Sequence, residues 1–438
     1  MSAGAFIEEE QKSLSEVHSS IHVPPGASFL RKLLAFSGPG YLVAVGYMDP
    51  GNWATDLAGG AKFGYSLLFV VLLSSLMAIL LQHLALKLGI ATGRDLAQAC
   101  RESYRKPVRL FLWLMAQIMI IACDLAEVIG SAIALNLLFN IPLAIGVIIT
   151  AADVLLILML QKKGFRYLEA LIIVLISTIV VAFGLELFLS RPEIAPLLAG
   201  FIPSAAIFSD KEMLYIALGI IGATVMPHNL FLHSSIVQTR RFERDLEGKK
   251  EAVKFATIDT VIALSGAFFV NAAILIVSAA TFHFSGYQDV NDISEAYKLL
   301  SPLLGASGAS IVFALALLAS GQNSTLTGTL TGQIIMEGFL NLKLKPWIQR
   351  LMTRSLAIIP ALAVILYFRD FGVGKLLILS QVILSIQLPF AVIPLVMFTS
   401  NREKMGAFVN KSWLKVASYA LAGFIVVLNL WLLYNLFG

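Results

Sequence analysis

Apolar positions along this chain come in blocks of roughly twenty residues, the length an α-helix needs to cross the hydrocarbon of a bilayer, with short polar stretches between them. Eleven spans are predicted, near residues 33–60, 64–86, 109–135, 141–160, 167–190, 213–238, 255–281, 308–338, 353–368, 373–399 and 414–436. Two of the blocks are interrupted by residues ill suited to hydrocarbon. The first is split at Asp49-Pro50-Gly51-Asn52, and the sixth within "GATVMPHNLFLH", Gly222 to His233, where Pro227 follows Met226. Proline removes a backbone donor and biases the preceding residue out of helix, so both spans are predicted to unwind near their middles.

The two breaks fall at the same place in two successive sets of five spans. Five is odd, so a second unit built like the first would lie upside down in the membrane. Paired interrupted helices in two inverted halves point to a transporter with its substrate site near the midplane. The predicted fold class is an all-α integral membrane protein, an inverted 5+5 helix repeat with discontinuous helices 1 and 6, plus an eleventh helix. In residues, this gives a cytoplasmic tail over 1–30 and a transporter domain over 31–438. The domain divides into one repeat over about 31–190, a second over about 211–400 and the extra helix over about 414–436.

Composition agrees with a membrane protein. Of the 438 residues, 58% are hydrophobic and 13% charged, against about 25% charged in a soluble domain. The first thirty residues are polar, carry Glu8 to Glu10 and hold no short apolar core with a cleavage site, which predicts a soluble tail and not a signal peptide. The net charge of +5 could suggest nucleic acid, but its placement argues otherwise. Of 32 Lys and Arg residues, 26 lie in the tail and the even-numbered connections; the other six are Lys62, Arg191, Lys211, Lys298, Arg369 and Lys375. That asymmetry predicts a cytoplasmic N-terminus and an extracellular C-terminus, and it makes the positive charge topological. Cys100 and Cys123 have neither metal nor redox spacing and read as two unpaired thiols.

Unwound backbone in hydrocarbon leaves carbonyls without partners, each costing several kcal/mol unless something replaces the lost hydrogen bonds. A cation is such a partner. Asp49 offers a charge, Asn52 a side-chain carbonyl, and the sixth-span break the Ala223 carbonyl and the Met226 thioether. Oxygen alone would suit Mg²⁺ or Ca²⁺; adding a thioether suits softer transition metals, and the set reads as a Mn²⁺/Fe²⁺-type site. A lone membrane methionine is usually packing filler. Met226 gains weight because it abuts a proline break that matches the aspartate break.

Asp124 and Glu127 in span 3 are three apart, share one helical face and could pass a proton along it; the alternative is a purely structural ion pair. His228 and His233 follow Met226 closely, and His228 could accept a proton or simply orient Asp49. Asp56, just past the first break, is expected to cap or brace the second half-helix. Asp153, Glu169, Glu186 and Asp259 read as structural or near span ends, and the Gly, Ser and Thr residues of "GQNSTLTGTLTG" as permitting close helix packing.

"DPGN", "MPHNLFLHS" and the eighth-span "GQNSTLTGTLTGQ", Gly321 to Gln333, closely resemble motifs of the Nramp family of proton-coupled divalent metal transporters, and the likeness extends from about Ser37 to the end of span 11. The resemblance implies a LeuT-like fold and import of Mn²⁺ and Fe²⁺, with Cd²⁺, Co²⁺ and sometimes Zn²⁺ as further cargo. It implies Asp49, Asn52, the Ala223 carbonyl and Met226 as metal ligands, joined on occlusion by Gln381 of "SQVILSIQLPF", with Gln387 a second candidate there. A proton route would use Asp49, His228, His233, Asp124 and Glu127, with Arg354 near its cytoplasmic end. Gln82 and Asn271 match positions near the permeation path. The expectation is a monomer in the cell membrane that works by alternating access, with protons and divalent ions as partners and no cofactor. A sodium-coupled amino-acid symporter of the same fold and a passive metal channel are the alternatives; no nucleophile–base pair supports an enzyme.

Overall fold

The polar interruptions read from the sequence end helices. The computed structural model describes residues 13–15, 17–24, 26–150, 165–290, 292–306, 308–342, 346–368 and 373–437. Within it the first apolar block is three helices: α1 (Phe29–Phe36), α2 (Pro39–Gly46) and α3 (Pro50–Phe63). The break at Asp49 is the predicted one. The earlier break is an addition to the sequence reading, and its cause is local: Pro39 disfavours helix at Gly38, which adopts φ 137°, open to glycine alone. A side chain at Gly38 would also collide with Glu169 and Arg240. The membrane span proper therefore starts at Pro39, with α1 ahead of it.

After α3, a single 3₁₀ turn at Gly64–Leu67 leads into α4 (Leu68–Thr92). Next come α5 (Lys106–Phe139), α6 (Leu143–Thr150) and α7 (Phe165–Ser190). The sixth block is again two helices, α8 (Lys211–Val225) and α9 (Pro227–Ile236), with Met226 between them at φ 20°, ψ 103°. The remaining long helices are α10 (Leu246–Ser278), α11 (Ala309–Leu340), α12 (Pro346–Phe368), α13 (Val373–Thr399) and α14 (Ser412–Phe437), with shorter helices in the connections. Among the described residues, eight helical segments are long and apolar enough to cross a membrane. The eleven expected spans reconcile with these eight because Pro50–Thr92 joins the end of span 1 to span 2, span 9 is a shorter apolar helix, Arg354–Tyr367, and span 4 lies partly outside the described residues. Asp153 is also outside them.

Small residues let α5 and α11 touch. A Cβ at Gly321 would strike the Ser131 hydroxyl, and one at Gly328 would come within 3.0 Å of Glu127. Trp53, fully buried on α3, is wedged edge-on between Phe183 and Phe313, ring centroids 4.6 and 5.2 Å away, and its indole N–H donates to Met48 O at 3.1 Å. These contacts hold α3 at the angle that presents its N-terminus inward.

The other end of the broken span is tied by charge. Asp259 Oδ2 on α10 accepts from Gly40 N at 2.7 Å, capping α2 from a neighbouring helix. Arg240, fully buried, pairs with Glu169 at 2.7 Å and donates to Ser37 O at 2.5 Å. Glu169 and Asp259 are thus structural in the sense the sequence suggested, and they anchor the α1–α2 junction. Arg240 and Arg241 also form a two-residue strand, β2, that pairs in parallel with β1 (Ile21–His22), so part of the N-terminal tail is seated beside this junction. Leu14 N, further back in the tail, donates to Glu337 on α11 at 2.9 Å.

Candidate metal centre

The two helix breaks face each other. Asp49 caps α3: its Oδ1 accepts from Asn52 N at 2.8 Å and from Asn52 Nδ2 at 2.7 Å. The same Asn52 amide donates to Ala223 O, in the last turn of α8, at 3.0 Å. One amide therefore bridges a carboxylate on the first broken span and a carbonyl on the sixth. Asn52 Oδ1 in turn accepts from Asn271 Nδ2 of α10 at 3.1 Å. Capping of the second half-helix belongs to Asp49. Asp56, expected to cap or brace this helix, does not cap it: it lies two turns further on, buried, with no hydrogen-bond partner on Oδ2 among the described residues.

Met226 is the hinge of the sixth span, and its thioether lies inside the closed structure with no exposure. Gln381 arrives from α13. It packs so closely on α3 that a Cβ at Gly51 would overlap its amide, and α13 touches α8 just as tightly, since a Cβ at Gly222 would strike Gln381 O. Asp49, Asn52, Ala223, Met226 and Gln381 are all at most 1% exposed, so the arrangement is occluded. Among the described residues, two oxygens of this set are left without a hydrogen-bond partner: Asp49 Oδ2 and Gln381 Oε1. A buried carboxylate oxygen without a donor costs several kcal/mol, and such atoms mark where a ligand would be welcomed. Among the described residues no three His, Cys, Asp or Glu side chains group around a metal position. A cation here would rest on one carboxylate plus neutral oxygen and sulfur donors. Gln387, the second candidate, faces elsewhere: it lines a small recess with Leu112, Met119 and Phe231.

The proposed proton residues form two groups. In one, Arg354 on α12 lies 3.4 Å from Glu127 and 3.8 Å from Asp124, and it donates to Thr325 Oγ1 at 3.2 Å. The spacing of the carboxylates on α5 does place them on one face, toward Arg354. Cys123 Sγ stands between this group and the break, 3.4 Å from Glu127 Oε1 and 3.7 Å from His228 Nε2. No hydrogen bond joins His228 to Asp49 among the described residues, and His228 Nδ1 has no partner. In the other group, His233 Nδ1 meets Gln82 Oε1 at 2.9 Å and Gln82 Nε2 donates to Tyr47 Oη at 2.7 Å. Thr260 Oγ1 is 3.4 Å from His233 Nε2. Gln82 therefore links α4, α9 and the first break.

Sequence reasoning missed Tyr47 and Asn229. Tyr47 lies two residues before Asp49 and Asn229 three residues after Met226, and that closeness to the proposed ligands was the available signal. Glu186 is buried on α7, and neither of its carboxylate oxygens has a partner among the described residues.

Comparison with known proteins fits this architecture. The family model described as natural resistance-associated macrophage protein-like (Nramp) matches residues 40–435. A divalent metal cation transporter, MntH, of Nostoc is 63% identical over 425 residues, covering 97% of this chain and 96% of that protein. The structure of the Eremococcus coleocola manganese transporter superposes with a TM-score of 0.88 at 43% identity, covering 96% of this chain and 90% of that one. Mhp1, a nucleobase-cation-symport-1 family transporter, shares the fold at 16% identity and a TM-score of 0.55. With the matched model spanning nearly every helix and both broken spans, the chain belongs to the Nramp family.

Proposed function

We propose that this protein is a secondary active transporter that imports divalent transition-metal cations, Mn²⁺ and Fe²⁺ first, with Cd²⁺ and Co²⁺ as further cargo, together with protons, by alternating access. One observation carries the reading: the orphaned, fully buried Asp49 Oδ2 lies where two broken helices and Gln381 converge with carbonyl, amide and thioether donors. The relatives named as divalent metal and manganese transporters support it. The basic residues bias the orientation toward a cytoplasmic N-terminus and an extracellular C-terminus in the cell membrane, the transporter working as a monomer.

In this reading the Asn52 amide protons hold the place of the ion. They bind Asp49 Oδ1 and Ala223 O, one oxygen each from the carboxylate and the carbonyl that a cation would draw on. When the ion arrives, the amide turns over and offers Oδ1 inward. Asn271 can follow, because its own Oδ1 has no partner among the described residues and would accept the turned Nδ2. Oxygens of Asp49, Asn52, Ala223 and Gln381 then surround the ion with the Met226 sulfur, a donor hard cations gain little from. Cargo binding displaces any proton on Asp49, which leaves by way of the Asp124–Glu127–Arg354 group on α5 and α12.

Voltage supplies the driving force. An inside-negative potential is worth about 2.3 kcal/mol per charge per 100 mV, so a divalent ion gains roughly 4.6 kcal/mol and a thousandfold accumulation without further coupling. Protons then confer acid dependence and are not required for uptake. A sodium-coupled amino-acid symporter would need donors arranged for a carboxylate, whereas the atoms gathered here are acceptors. The test is Mn²⁺ flux into proteoliposomes. Asp49→Ala should abolish it, and unimpaired flux would remove the site. Met226→Ala should narrow the preference for Mn²⁺ and Cd²⁺ over Mg²⁺ and Ca²⁺, and an unchanged ratio would show that sulfur is not the filter.

A further inference from the structure

Met226 holds a backbone conformation, φ 20° and ψ 103°, that L-residues rarely adopt, and it does so at the free end of α9. A methionine there has three side-chain torsions to lose, and its sulfur could sit in many places. One residue in the next turn restrains it. Asn229 Nδ2 lies 3.9 Å from Met226 Sδ and 3.3 Å from Val43 O on α2, and Asn229 N donates to Met226 O at 3.2 Å. The amide can face only one way. Turned over, its oxygen would meet the Val43 carbonyl, acceptor against acceptor. As it stands, each of its two N–H groups has an acceptor, one carbonyl and one thioether.

The chain makes room for this contact. A side chain at Gly46 would overlap the Asn229 amide, so glycine at the end of α2 lets the amide bridge the two half-helices. Asn229 is fully buried, and its Oδ1 has no partner among the described residues, so the contacts that account for its orientation are those of its Nδ2. A thioether sulfur has two lone pairs. With one held by Asn229, the side chain keeps a single orientation and the other lone pair is free for cargo.

We propose that Asn229 is a positioning residue that sets the Met226 thioether and thereby the selectivity for soft transition metals over Mg²⁺ and Ca²⁺. The inference rests on the reading of Met226 as a ligand, and the experiment separates the two. Cd²⁺ uptake into proteoliposomes, with Ca²⁺ as competitor, is measured for Asn229→Ala and for Gly46→Ala, which displaces the amide without removing it. Each is made in the wild-type and in the Met226→Ala chain. The Cd²⁺-over-Ca²⁺ ratio should fall about tenfold for either single variant, the size of effect that supporting groups around a metal ligand usually have. In the Met226→Ala background neither substitution should lower the ratio further, because the atom being positioned is gone.

A ratio unchanged in both single variants, while Met226→Ala lowers it, would overturn the role of Asn229 and leave the thioether filter standing. An equal loss in both backgrounds would overturn it too, assigning Asn229 to the Val43 contact. A ratio that Met226→Ala leaves unchanged would overturn both readings. Should Asn229→Ala fail to give monodisperse protein, Gly46→Ala decides alone by the same criteria.

Discussion

Replacing Gly51 by alanine tests how tightly the structure closes over its centre. A Cβ at this position would overlap the side-chain amide of Gln381, with Gln381 Cγ only 2.9 Å away. The three nearest atoms all belong to that flexible side chain, so the fold can survive if Gln381 swings aside. It then loses its hydrogen bond to Ser380 Oγ, 3.0 Å in the present arrangement, and leaves the cluster of donors. Overpacking of this kind costs about 1–3 kcal/mol. That cost falls on the occluded arrangement, where α13 meets α3, and vanishes wherever the two helices part. If turnover passes through occlusion, the rate drops roughly 5- to 150-fold. The assay is the initial rate of Mn²⁺ uptake into proteoliposomes for Gly51→Ala, Gln381→Ala and the double variant. Truncating Gln381 removes the three atoms nearest the added methyl, and Gly51→Ala should then change the rate by no more than about twofold. Wild-type rates in Gly51→Ala, or an equal slowing in both backgrounds, would refute the reasoning.

Two further outcomes are expected. Arg354→Met leaves Asp124 and Glu127 buried without a counter-charge, which should destabilise the protein by about 3–5 kcal/mol, read as a lowered melting temperature in detergent; an unchanged melting temperature would dispose of the ion-pair account. Asp95, in the connection between α4 and α5, is pushed up to about 6 by burial. Its folded form favours the proton, so the stability it contributes is full below about pH 4 and is lost as pH rises through about 6. The loss is at most about 3 kcal/mol over some two units. Asp95→Asn keeps the cap, in which Oδ1 accepts from Gln98 N at 2.8 Å, and should flatten that slope between pH 4 and 6; a slope like the wild type's would exclude Asp95 as its source.

What could be read from the sequence is what local chemistry enforces. Apolar blocks of bilayer length announce helices, and Pro50, Pro227 and Asp49 announce breaks, because a missing donor or a buried charge acts where it stands. The spacing of Asp124 and Glu127 placed them on one face, and the small residues of the eighth span marked a close helix contact that α5 fills. Apart from the ligand set and the place of Arg354, which the family resemblance supplied, the partners across helices were not legible from the residues themselves. Nothing near Gly51 names Gln381, nothing near Asn52 names Asn271, and nothing near Met226 says that the Asn229 amide also reaches Val43.

The reason is rotational. Many of these helices are apolar around their whole circumference, so their sequences carry little periodic signal of which side turns inward. That choice is made by packing: Trp53 wedged between Phe183 and Phe313 turns α3, and the Arg240–Glu169 and Asp259–Gly40 contacts turn and seat α2. The sequence by itself determined where the chain crosses, where it breaks and which donors the breaks carry. Only the tertiary structure decided which of those donors meet, because that depends on how each helix is rotated against its neighbours.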